Sequence, residues 1–283
     1  MIQSLAASYG VRPLCEWLEV APSSYYYRPA GEDDGTLLVR IEDVLADYPT
    51  YGYRRVSVEL GRRGAAVNHK RVWRVMAEND LLQQMVRGVR TTDSRHGYRR
   101  YPNLLQDCQV VRPDQVWCAD ITYIHLPKQY VYLAILLDVF TRSIRGWSLG
   151  PSLASELAVQ ALQAGLRQGR PEIHHSDQGV QYAATGYVEQ LQTLGVQISM
   201  AAAGQPEQNP YAERVIRTIK EEEVYLNDYR DLREAQENLG YFIEAVYQTK
   251  RIHSALGYLT PSEFEAQWRA QRRQELETPG GNV

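Results

Sequence analysis

Cysteine is scarce in this chain, with three among 283 residues: Cys15, Cys108 and Cys118. Three widely separated cysteines exclude a disulfide framework and a C-x-x-C zinc site, and they fit a reducing compartment. No run of 18 apolar residues occurs, so no membrane span is expected. The first 20 residues carry three charged side chains where a secretion signal needs apolar ones, so no targeting segment is expected. We therefore expect a cytoplasmic protein.

An excess of basic charge is also missing, because 31 Lys and Arg face 34 Asp and Glu and the formal net charge is −3. That total by itself argues against a nucleic-acid partner. It conceals a division, however: residues 1–35 carry −3, residues 36–112 carry +6 and residues 113–283 carry −6. A basic region is thus joined to an acidic one, which suggests that the two regions have different partners.

Three short helices are predicted in the basic region, within residues 36–86. Apolar residues recur at helical spacing over 37–48, 54–62 and 69–79, and Asn68 is suited to cap the third helix. Short helices joined by tight turns are typical of a helix-turn-helix domain. The third would act as the recognition helix through His69, Lys70, Arg71 and Arg74. A small helical bundle with a solvated basic face is the alternative.

The flanks of this domain are less regular. Residues 1–35 are predicted to form an N-terminal accessory segment, with a helix, a Tyr-rich stretch and an acidic, polar linker at 31–35. Residues 87–112 are rich in arginine and poor in apolar side chains, which indicates a basic connector.

From residue 113 the pattern changes to strands. Three adjacent strands are followed by a helix, a strand, a helix, a strand and further helices, an order that predicts an α/β fold with a mixed sheet flanked by helices. We place the core at 113–227 and a C-terminal helical extension at 228–283. Capping-box patterns open two helices of the extension, at Asp231 and Thr260.

Three carboxylates stand out in this core. Asp120 lies within the strand VWCADITYI, where an uncompensated buried charge costs several kcal/mol. Asp177 follows a short strand, and Glu213 flanks the apolar stripe of a helix. Each alone has an ordinary explanation, as an ion pair, a turn residue or a solvated glutamate. Together they are suited to bind two Mg²⁺ or Mn²⁺ ions about 4 Å apart, as phosphodiester chemistry requires.

Other polar residues are weaker candidates. Lys220 lies two helical turns after Glu213, roughly 10 Å along the same face, where it is suited to contact a DNA phosphate. Asp138 is predicted to cap the Thr141-Arg142 hairpin rather than to bind metal. The pair His174 and His175 has no partner pair at zinc-like spacing, so zinc is not expected.

Several long motifs resemble the DDE transposases of bacterial insertion sequences. The resemblance covers roughly residues 37–265, and 35 residues separate Asp177 from Glu213, because 213 − 177 − 1 is 35. Within this family the chain resembles the downstream-frame protein of the group encoded in two overlapping reading frames, with a core like that of retroviral integrases. The motifs are YGYRR at 51–55, VNHKRVWRVM at 67–76, VWCADITYI at 116–124, LDVFTRSIRGW at 137–147, HSDQGVQY at 175–182, GQPEQNPYAER at 204–214 and RIHSALGYLTPSEF at 251–264.

This resemblance implies a ribonuclease H-like catalytic fold preceded by a small all-α helix-turn-helix domain. It implies a divalent metal held by Asp120, Asp177 and Glu213, DNA strand cleavage and strand transfer, and terminal inverted repeats and target DNA as double-stranded partners. Arg54 and Arg55, in the first motif, are expected to contact DNA too. Homo-oligomers on DNA are expected, as is an upstream-frame protein or fusion.

One motif departs from the family. Many relatives have Asp-Asn-Ala where this chain has Gln208-Asn209-Pro210, immediately before Glu213. Two other functions therefore stay open at this point. One is a ribonuclease H-like nuclease that only hydrolyses DNA, and the other is a catalytically decayed DNA-binding regulator.

Overall fold

The computed structural model describes residues 5–6, 9–26, 33–83, 100–106, 108–202 and 205–277. In the described part of the N-terminal segment, α1 spans Val11–Trp17 and α2 spans Pro22–Tyr26. Most of the predicted basic connector lies outside the described residues.

The acidic stretch predicted as a linker at 31–35 is in part the start of a helix, which corrects the sequence prediction. Asp33 is the N-cap of α3 (Asp34–Asp47), and its carboxylate accepts hydrogen bonds from the backbone N–H groups of Gly35 and Thr36. An aspartate at this position satisfies N–H groups that have no partner inside the helix, and this stabilises the first turn. Gly31 and Glu32 lie outside the described residues.

The three helices of the basic region are confirmed as α3, α4 (Tyr53–Arg62) and α5 (His69–Glu78). Asn68 caps α5, because its side chain accepts a hydrogen bond from Lys70 N at 2.9 Å. The apolar faces of the helices share one buried cluster, which also contains Ile252 from far along the chain. The cluster consists of Leu37, Ile41, Val44, Tyr51, Val56, Leu60, Val72, Val75, Met76 and Ile252.

The second region is built on a five-stranded mixed sheet, as predicted. Its strands are β1 (Val116–Leu126), β2 (Gln129–Asp138), β3 (Ile144–Gly150), β4 (Ile173–Ser176) and β5 (Gln197–Met200), in the order β3-β2-β1-β4-β5. The first three strands are antiparallel neighbours, whereas β4 pairs parallel with β1 and β5 pairs parallel with β4. The strand β1 therefore has an antiparallel neighbour on one side and a parallel neighbour on the other.

Helices cover both faces of this sheet. One face packs against α6 (Ser155–Leu166) and α8 (Thr185–Thr193), with the four-residue helix α7 (Val180–Ala183) between them. The strand β3 comes so close to α6 that a Cβ atom at Gly146 would lie 2.2 Å from the carbonyl oxygen of Ala161, so only glycine fits there. The sequence did not predict α7, because four residues are too few to show a helical period.

The other face packs against α9 (Pro210–Glu222) and α10 (Leu232–Tyr241), which continues as a π-helix over Phe242–Tyr247. A final helix, α11, spans Pro261–Glu277. Its predicted capping box is confirmed: Thr260 Oγ1 accepts from Glu263 N at 3.2 Å, and Glu263 Oε2 accepts from Thr260 N at 2.8 Å. None of the helices that the structure describes is long and apolar enough to cross a lipid bilayer.

The domain boundary at residue 227 stays a prediction. In the structure, one apolar cluster joins sheet residues such as Ile124 and Leu133 with α9 and with Leu239 of α10. Helix α10 is therefore part of the packing that holds α9 on the sheet.

Candidate active site

Asp120 lies in the middle of β1, opposite Ile135 of β2, and is partly buried. Its Oδ1 atom accepts a hydrogen bond from the backbone N–H of the next residue, Ile121, at 2.8 Å. Burial, and then the negative charge of Asp177, raises the pKa of Asp120 to about 8. A shift in this direction means that nearby positive charge does not offset the cost of burying the carboxylate.

Asp177 comes level with Asp120 because of the parallel pairing of β4 with β1. His175 of β4 is paired with Cys118 of β1, and two further residues along each strand lead to Asp177 and Asp120. A tight loop then follows, in which Asp177 Oδ1 accepts a hydrogen bond from Gly179 N at 2.9 Å. A Cβ atom at Gly179 would lie 2.9 Å from that same oxygen, so glycine allows the close approach.

Glu213 reaches the site from the first turn of α9. The start of this helix is attached to β1 by Asn209, whose side-chain Nδ2 donates to the backbone oxygen of Ala119 at 3.0 Å. Ala212 is also fully buried, against Val116 and Cys118. The helix therefore begins directly beside the part of β1 that carries Asp120.

The three carboxylates lie in one electrostatic neighbourhood, since both Asp177 and Glu213 raise the pKa of Asp120. In the part of the chain that the structure describes, however, no three His, Cys, Asp or Glu side chains are gathered closely enough to hold a metal ion. Asp120 and Asp177 instead accept local backbone hydrogen bonds. Carboxylate oxygens held in one neighbourhood suit a hard divalent cation such as Mg²⁺ or Mn²⁺.

Lys220 stands next to these carboxylates on α9. Burial lowers its pKa, and the charge of Asp120 acts in the opposite direction. Its Nζ atom lies 4.6 Å from the centre of the Tyr123 ring, within the range of a cation–π interaction. The sequence located Lys220 relative to Glu213, but it gave no signal of the ring beneath the ammonium group.

Asp138 has the structural role predicted for it. It is fully buried, and its Oδ1 atom accepts hydrogen bonds from Thr141 N at 2.7 Å and Thr141 Oγ1 at 2.9 Å. Arg145 approaches its other oxygen at 3.7 Å. Asp138 thus closes the turn between β2 and β3.

Comparisons with known proteins agree with this architecture. The chain matches the HTH-like domain family over residues 32–89 and two integrase core domain families over residues 110–206 and 194–261. It is 31% identical over 281 residues to the transposase for insertion sequence element IS629 of Shigella sonnei, with 94% of each chain covered. It is 30% identical over 278 residues to transposase InsF for insertion sequence IS3A of Escherichia coli strain K12, with 93% of this chain and 96% of the relative covered.

The chain belongs to the DDE transposases of bacterial insertion sequences.

Solved structures of viral integrases are also similar to the transposase. A simian T-cell lymphotropic virus intasome chain is 14% identical with a TM-score of 0.49, over 80% of this chain and 74% of that one. The HTLV-2 integrase catalytic core domain is 16% identical with a TM-score of 0.45, over 56% of this chain and 99% of that one.

The predicted recognition helix, α5, is basic but partly neutralised. Arg71 and Arg74 both pair with Asp34 of α3, at 2.8 and 2.7 Å, and Arg74 also pairs with Glu78 at 3.1 Å. Lys70 is exposed. The DNA contacts predicted for these arginines would therefore compete with ion pairs inside the protein.

The first turns of α4 and α5 carry the other predicted DNA contacts. His69 and Arg54 are exposed and both lie against the ring of Tyr53, at 6.2 and 5.4 Å. Arg55 is different, because its guanidinium contacts Glu222 at 2.9 Å and lies 4.4 Å from the centre of the Tyr51 ring. That position favours a structural role for Arg55 over the DNA contact expected from its motif.

Two buried histidines follow one another in β4, and the second contacts the loop before α9. His175 bonds Ser199 Oγ at 2.8 Å and the backbone oxygen of Gln208 at 3.1 Å, and burial lowers the pKa of His175 to about 4. His174 bonds the Tyr187 hydroxyl at 2.8 Å, and burial lowers its pKa to about 3. Both rings are therefore neutral at pH 7 and hold the scaffold in place.

Gln208 stands where the resemblance to the family implies aspartate, and its side chain contacts the same loop. Its Oε1 atom accepts hydrogen bonds from Asn103 Nδ2 at 3.1 Å and from Ala202 N at 2.7 Å. The substitution thus ties the loop before Glu213 to two other segments. Sequence reasoning did not predict these hydrogen bonds of Gln208. It also did not predict the role of Asn209, although an Asn before a Pro is a signal for a helix start.

Proposed function

We propose that this transposase cleaves DNA at the ends of its insertion sequence and joins those ends to target DNA, with Asp120, Asp177 and Glu213 as the catalytic residues. The observation that carries this proposal is the convergence of the three carboxylates from β1, the end of β4 and α9, where the charges of Asp177 and Glu213 add to burial in raising the pKa of Asp120 to about 8. Negative charge concentrated in this way is typical of a functional site and favours the binding of cations.

The three carboxylates would hold two Mg²⁺ or Mn²⁺ ions, because their oxygens are the hard ligands that these ions prefer. When bound, such a pair activates an attacking hydroxyl and stabilises the leaving oxygen in phosphodiester chemistry. The protein's own contribution is to fix the carboxylates: Asn209 anchors the helix of Glu213 to β1, and the Gly179 turn fixes Asp177.

Lys220 would contact the phosphate next to the bond that is cleaved. Its ammonium group is the cation beside Asp120, and the Tyr123 ring holds it at 4.6 Å. A lysine acts on phosphate as a point charge, so it can position the DNA without taking part in proton transfer.

The helix-turn-helix domain would bind the double-stranded terminal inverted repeats, with Arg54, His69, Lys70, Arg71 and Arg74 near the DNA. We further propose that the transposase works as a homo-oligomer on DNA, alone or with an upstream-frame protein or fusion. Its activity would take place in the bacterial cytoplasm, on the nucleoid, because the proposed DNA substrates are there.

A strand-transfer assay with a labelled duplex from the DNA flanking the gene tests this function. We expect cleaved and joined products with Mg²⁺ or Mn²⁺, DNA binding with little turnover in Ca²⁺, and no products in EDTA. Hydrolysis without joined products would identify a nuclease, binding without hydrolysis would identify a regulator, and full cleavage in EDTA would exclude the metal mechanism.

A matched pair of lysine variants tests the phosphate contact. Lys220 and Lys250 both lie over a tyrosine ring, at 4.6 and 5.5 Å, but Lys250 faces Tyr241 of α10. We expect Lys220→Ala to reduce cleavage strongly and Lys250→Ala to leave it unchanged. Equal cleavage by the two variants would exclude the role of Lys220.

A further inference from the structure

The second half of β1 extends beyond its parallel neighbour. The strand β4 pairs with β1 over Val116–Cys118, whereas the pairing with β2 continues to Leu126. Two tyrosines in this extension are exposed: Tyr123 on β1 by 37% and Tyr130 on β2 by 54%. Large aromatic side chains left open to solvent beside an active site mark a surface that can bind a partner.

These rings form one continuous patch. Tyr123 and Tyr130 lie with ring centres 5.7 Å apart at 80°, and His125 and Tyr130 lie 5.1 Å apart at 68°. His125 is the direct cross-strand partner of Tyr130 in the β1–β2 register. We call Tyr123, His125 and Tyr130 the aromatic surface.

The aromatic surface begins at the catalytic centre. Lys220 lies over the Tyr123 ring at 4.6 Å, and the charge of Asp120 acts on the Lys220 ammonium group. Lys220 thus lies within reach of both Asp120 and Tyr123, although these two residues are three positions apart on β1 and their side chains leave opposite faces of the strand. A nucleic-acid strand presents phosphates and bases side by side.

The charges in the sequence of β1 and β2 also favour a nucleic-acid strand as the partner of the aromatic surface. Residues 113–283 carry a net charge of −6, yet residues 121–137 contain no Asp or Glu and include Lys128 and His125. This part of the β1–β2 hairpin therefore adds no negative charge beside Lys220. This lack of negative charge reduces the repulsion of a polyanion that approaches Lys220.

We propose that the aromatic surface stacks unpaired bases of the DNA end next to the cleaved phosphodiester bond. The proposal rests on the proposed function, since it requires a DNA end in the active site. Stacking on exposed rings tolerates any base, because every base has a π-face, and a neighbouring lysine adds the phosphate contact. Frayed ends thus bind more tightly than fully paired ends.

Binding to two DNA duplexes is compared in order to distinguish base stacking on the aromatic surface from general affinity for DNA. One is a fully paired terminal repeat, and the other has the same sequence with three unpaired nucleotides at its end. The full-length protein binds each in Ca²⁺, and a 2-aminopurine in the unpaired stretch reports stacking by fluorescence quenching. We expect the wild type to prefer the unpaired end and to quench the probe.

Single substitutions then test the rings. Tyr130→Ala should weaken binding of the unpaired end roughly tenfold, while binding of the paired end changes less than about twofold. Tyr123→Ala should do the same and should also disturb Lys220, which lies over that ring, so Tyr130→Ala is the cleaner test of stacking. Tyr123→Phe and Tyr130→Phe should keep wild-type binding and quenching, because the rings remain.

Tyr241→Ala is the matched control. Tyr241 is 60% exposed and lies under Lys250, but it belongs to α10, which packs against Trp147 of β3 at the far edge of the sheet. We expect it to leave both affinities unchanged.

Equal affinity of wild type and Tyr130→Ala for the unpaired end, with unchanged quenching, would overturn the proposal. A smaller oligomer in the Ala variants, with both DNA affinities intact, would overturn it too and would assign the surface to a second copy of the chain. Failure of the wild type to cleave the paired repeat in Mg²⁺ is a separate result, because it contradicts the proposed function without touching the comparison of the two DNA ends.

Discussion

Charged side chains are arranged in opposite ways in the two regions of the transposase. In the helix-turn-helix domain, arginines are paired with carboxylates: Arg71 and Arg74 with Asp34, and Arg63 with Asp47 at 2.7 Å. In the catalytic region, carboxylates lie together, and the charges of two of them raise the pKa of the third. These arginines thus have ion pairs before DNA arrives, whereas the carboxylates require cations to become balanced.

The two regions also differ in whether their buried apolar clusters include residues from the other region. The sheet buries its own apolar clusters, but the helix-turn-helix cluster includes Ile252, whose backbone N–H donates to the Tyr51 hydroxyl at 3.1 Å. Glu222, on the catalytic helix α9, bonds Arg55 at 2.9 Å and Arg251 at 2.6 and 2.7 Å. The DNA-binding domain is thus docked onto the helix that carries Glu213.

Removing single carboxylates of the proposed catalytic site should give the largest effect. We expect Asp120→Asn, Asp177→Asn and Glu213→Gln each to reduce cleavage and joining by at least roughly 10²–10³-fold, because each removes metal-binding charge from the site. Binding of the terminal repeat should stay near wild type, since the helix-turn-helix domain is unchanged. Gel-shift and cleavage assays on the same DNA measure both.

Glu221→Gln is the control for the glutamate variant, because Glu221 is exposed on the same helix. Near wild-type cleavage by any one of the three variants would remove that residue from the proposed site.

Breaking the docking contact should destabilise the whole protein. Arg251 is 7% exposed, so Glu222→Ala leaves a buried guanidinium without its carboxylate, at a cost of about 3–5 kcal/mol. Urea unfolding measures this. Glu237→Gln is the control, because it removes one partner of the exposed Arg233–Glu237 pair and should change stability by less than about 1 kcal/mol. Similar stabilities for the two variants would show that docking contributes little.

The stability that Glu222 contributes through its contacts with Arg251 and Arg55 should depend on pH in a defined direction. Burial alone would raise the pKa of Glu222, but hydrogen bonds and charge from Arg251 and Arg55 outweigh it and hold the pKa below the usual 4.5. A carboxyl with a lowered pKa in the folded state stabilises the fold fully above its unfolded pKa and loses that stabilisation as the pH falls. The stability difference between wild type and Glu222→Gln should therefore be constant at neutral pH and shrink below about pH 4.5.

These contacts mark where sequence reasoning succeeds and where it stops. Asp120 was predictable because a carboxylate in an apolar strand is a local anomaly, and Asn68 was predictable because capping acts over two or three residues. Arg55 was predicted to contact DNA. Its ion pair with Glu222 could not be predicted, because Glu222 lies 167 residues away and no local pattern indicates such a pair. The anchor from Asn209 to Ala119 spans 90 residues and was missed for the same reason.

The strands and helices followed from periodicity, since β2 is apolar on both faces and α9 on one. What the sequence could not supply is the relative placement of elements. The loop of Gln208 illustrates this, because the partners of its side chain, Asn103 and Ala202, lie in other segments of the chain.

Removing the positive charges of the predicted recognition helix should have an intermediate effect, and this effect should be on DNA binding. Replacing Lys70, Arg71 and Arg74 with Ala should weaken DNA binding and flatten its salt dependence, by up to about 0.9 log unit for each phosphate that the protein no longer neutralises. Binding of the full-length protein is measured across a salt series, because Ile252 and Glu222 are needed to complete the domain. An unchanged salt slope would show that α5 does not touch the DNA backbone.

The smallest expected effect comes from the carboxylate that competes with DNA for those arginines. Asp34 is 44% exposed and pairs with both Arg71 and Arg74, whose hydrogen bonds hold its pKa below the usual value. In Asp34→Asn the two guanidinium groups are released from this carboxylate and become available to phosphates. We expect DNA affinity to rise a few-fold and the salt slope to steepen, since more counterions are displaced on binding. The matched change Asp47→Asn removes one of the two carboxylates that pair with Arg63, which lies beyond the C-terminal end of α4 rather than on the predicted recognition helix, and should leave binding unchanged. Weaker binding by Asp34→Asn would mean that Asp34 orients the arginines for DNA, and the helix-turn-helix domain would then depend on internal ion pairs for recognition instead of exchanging them for phosphate contacts.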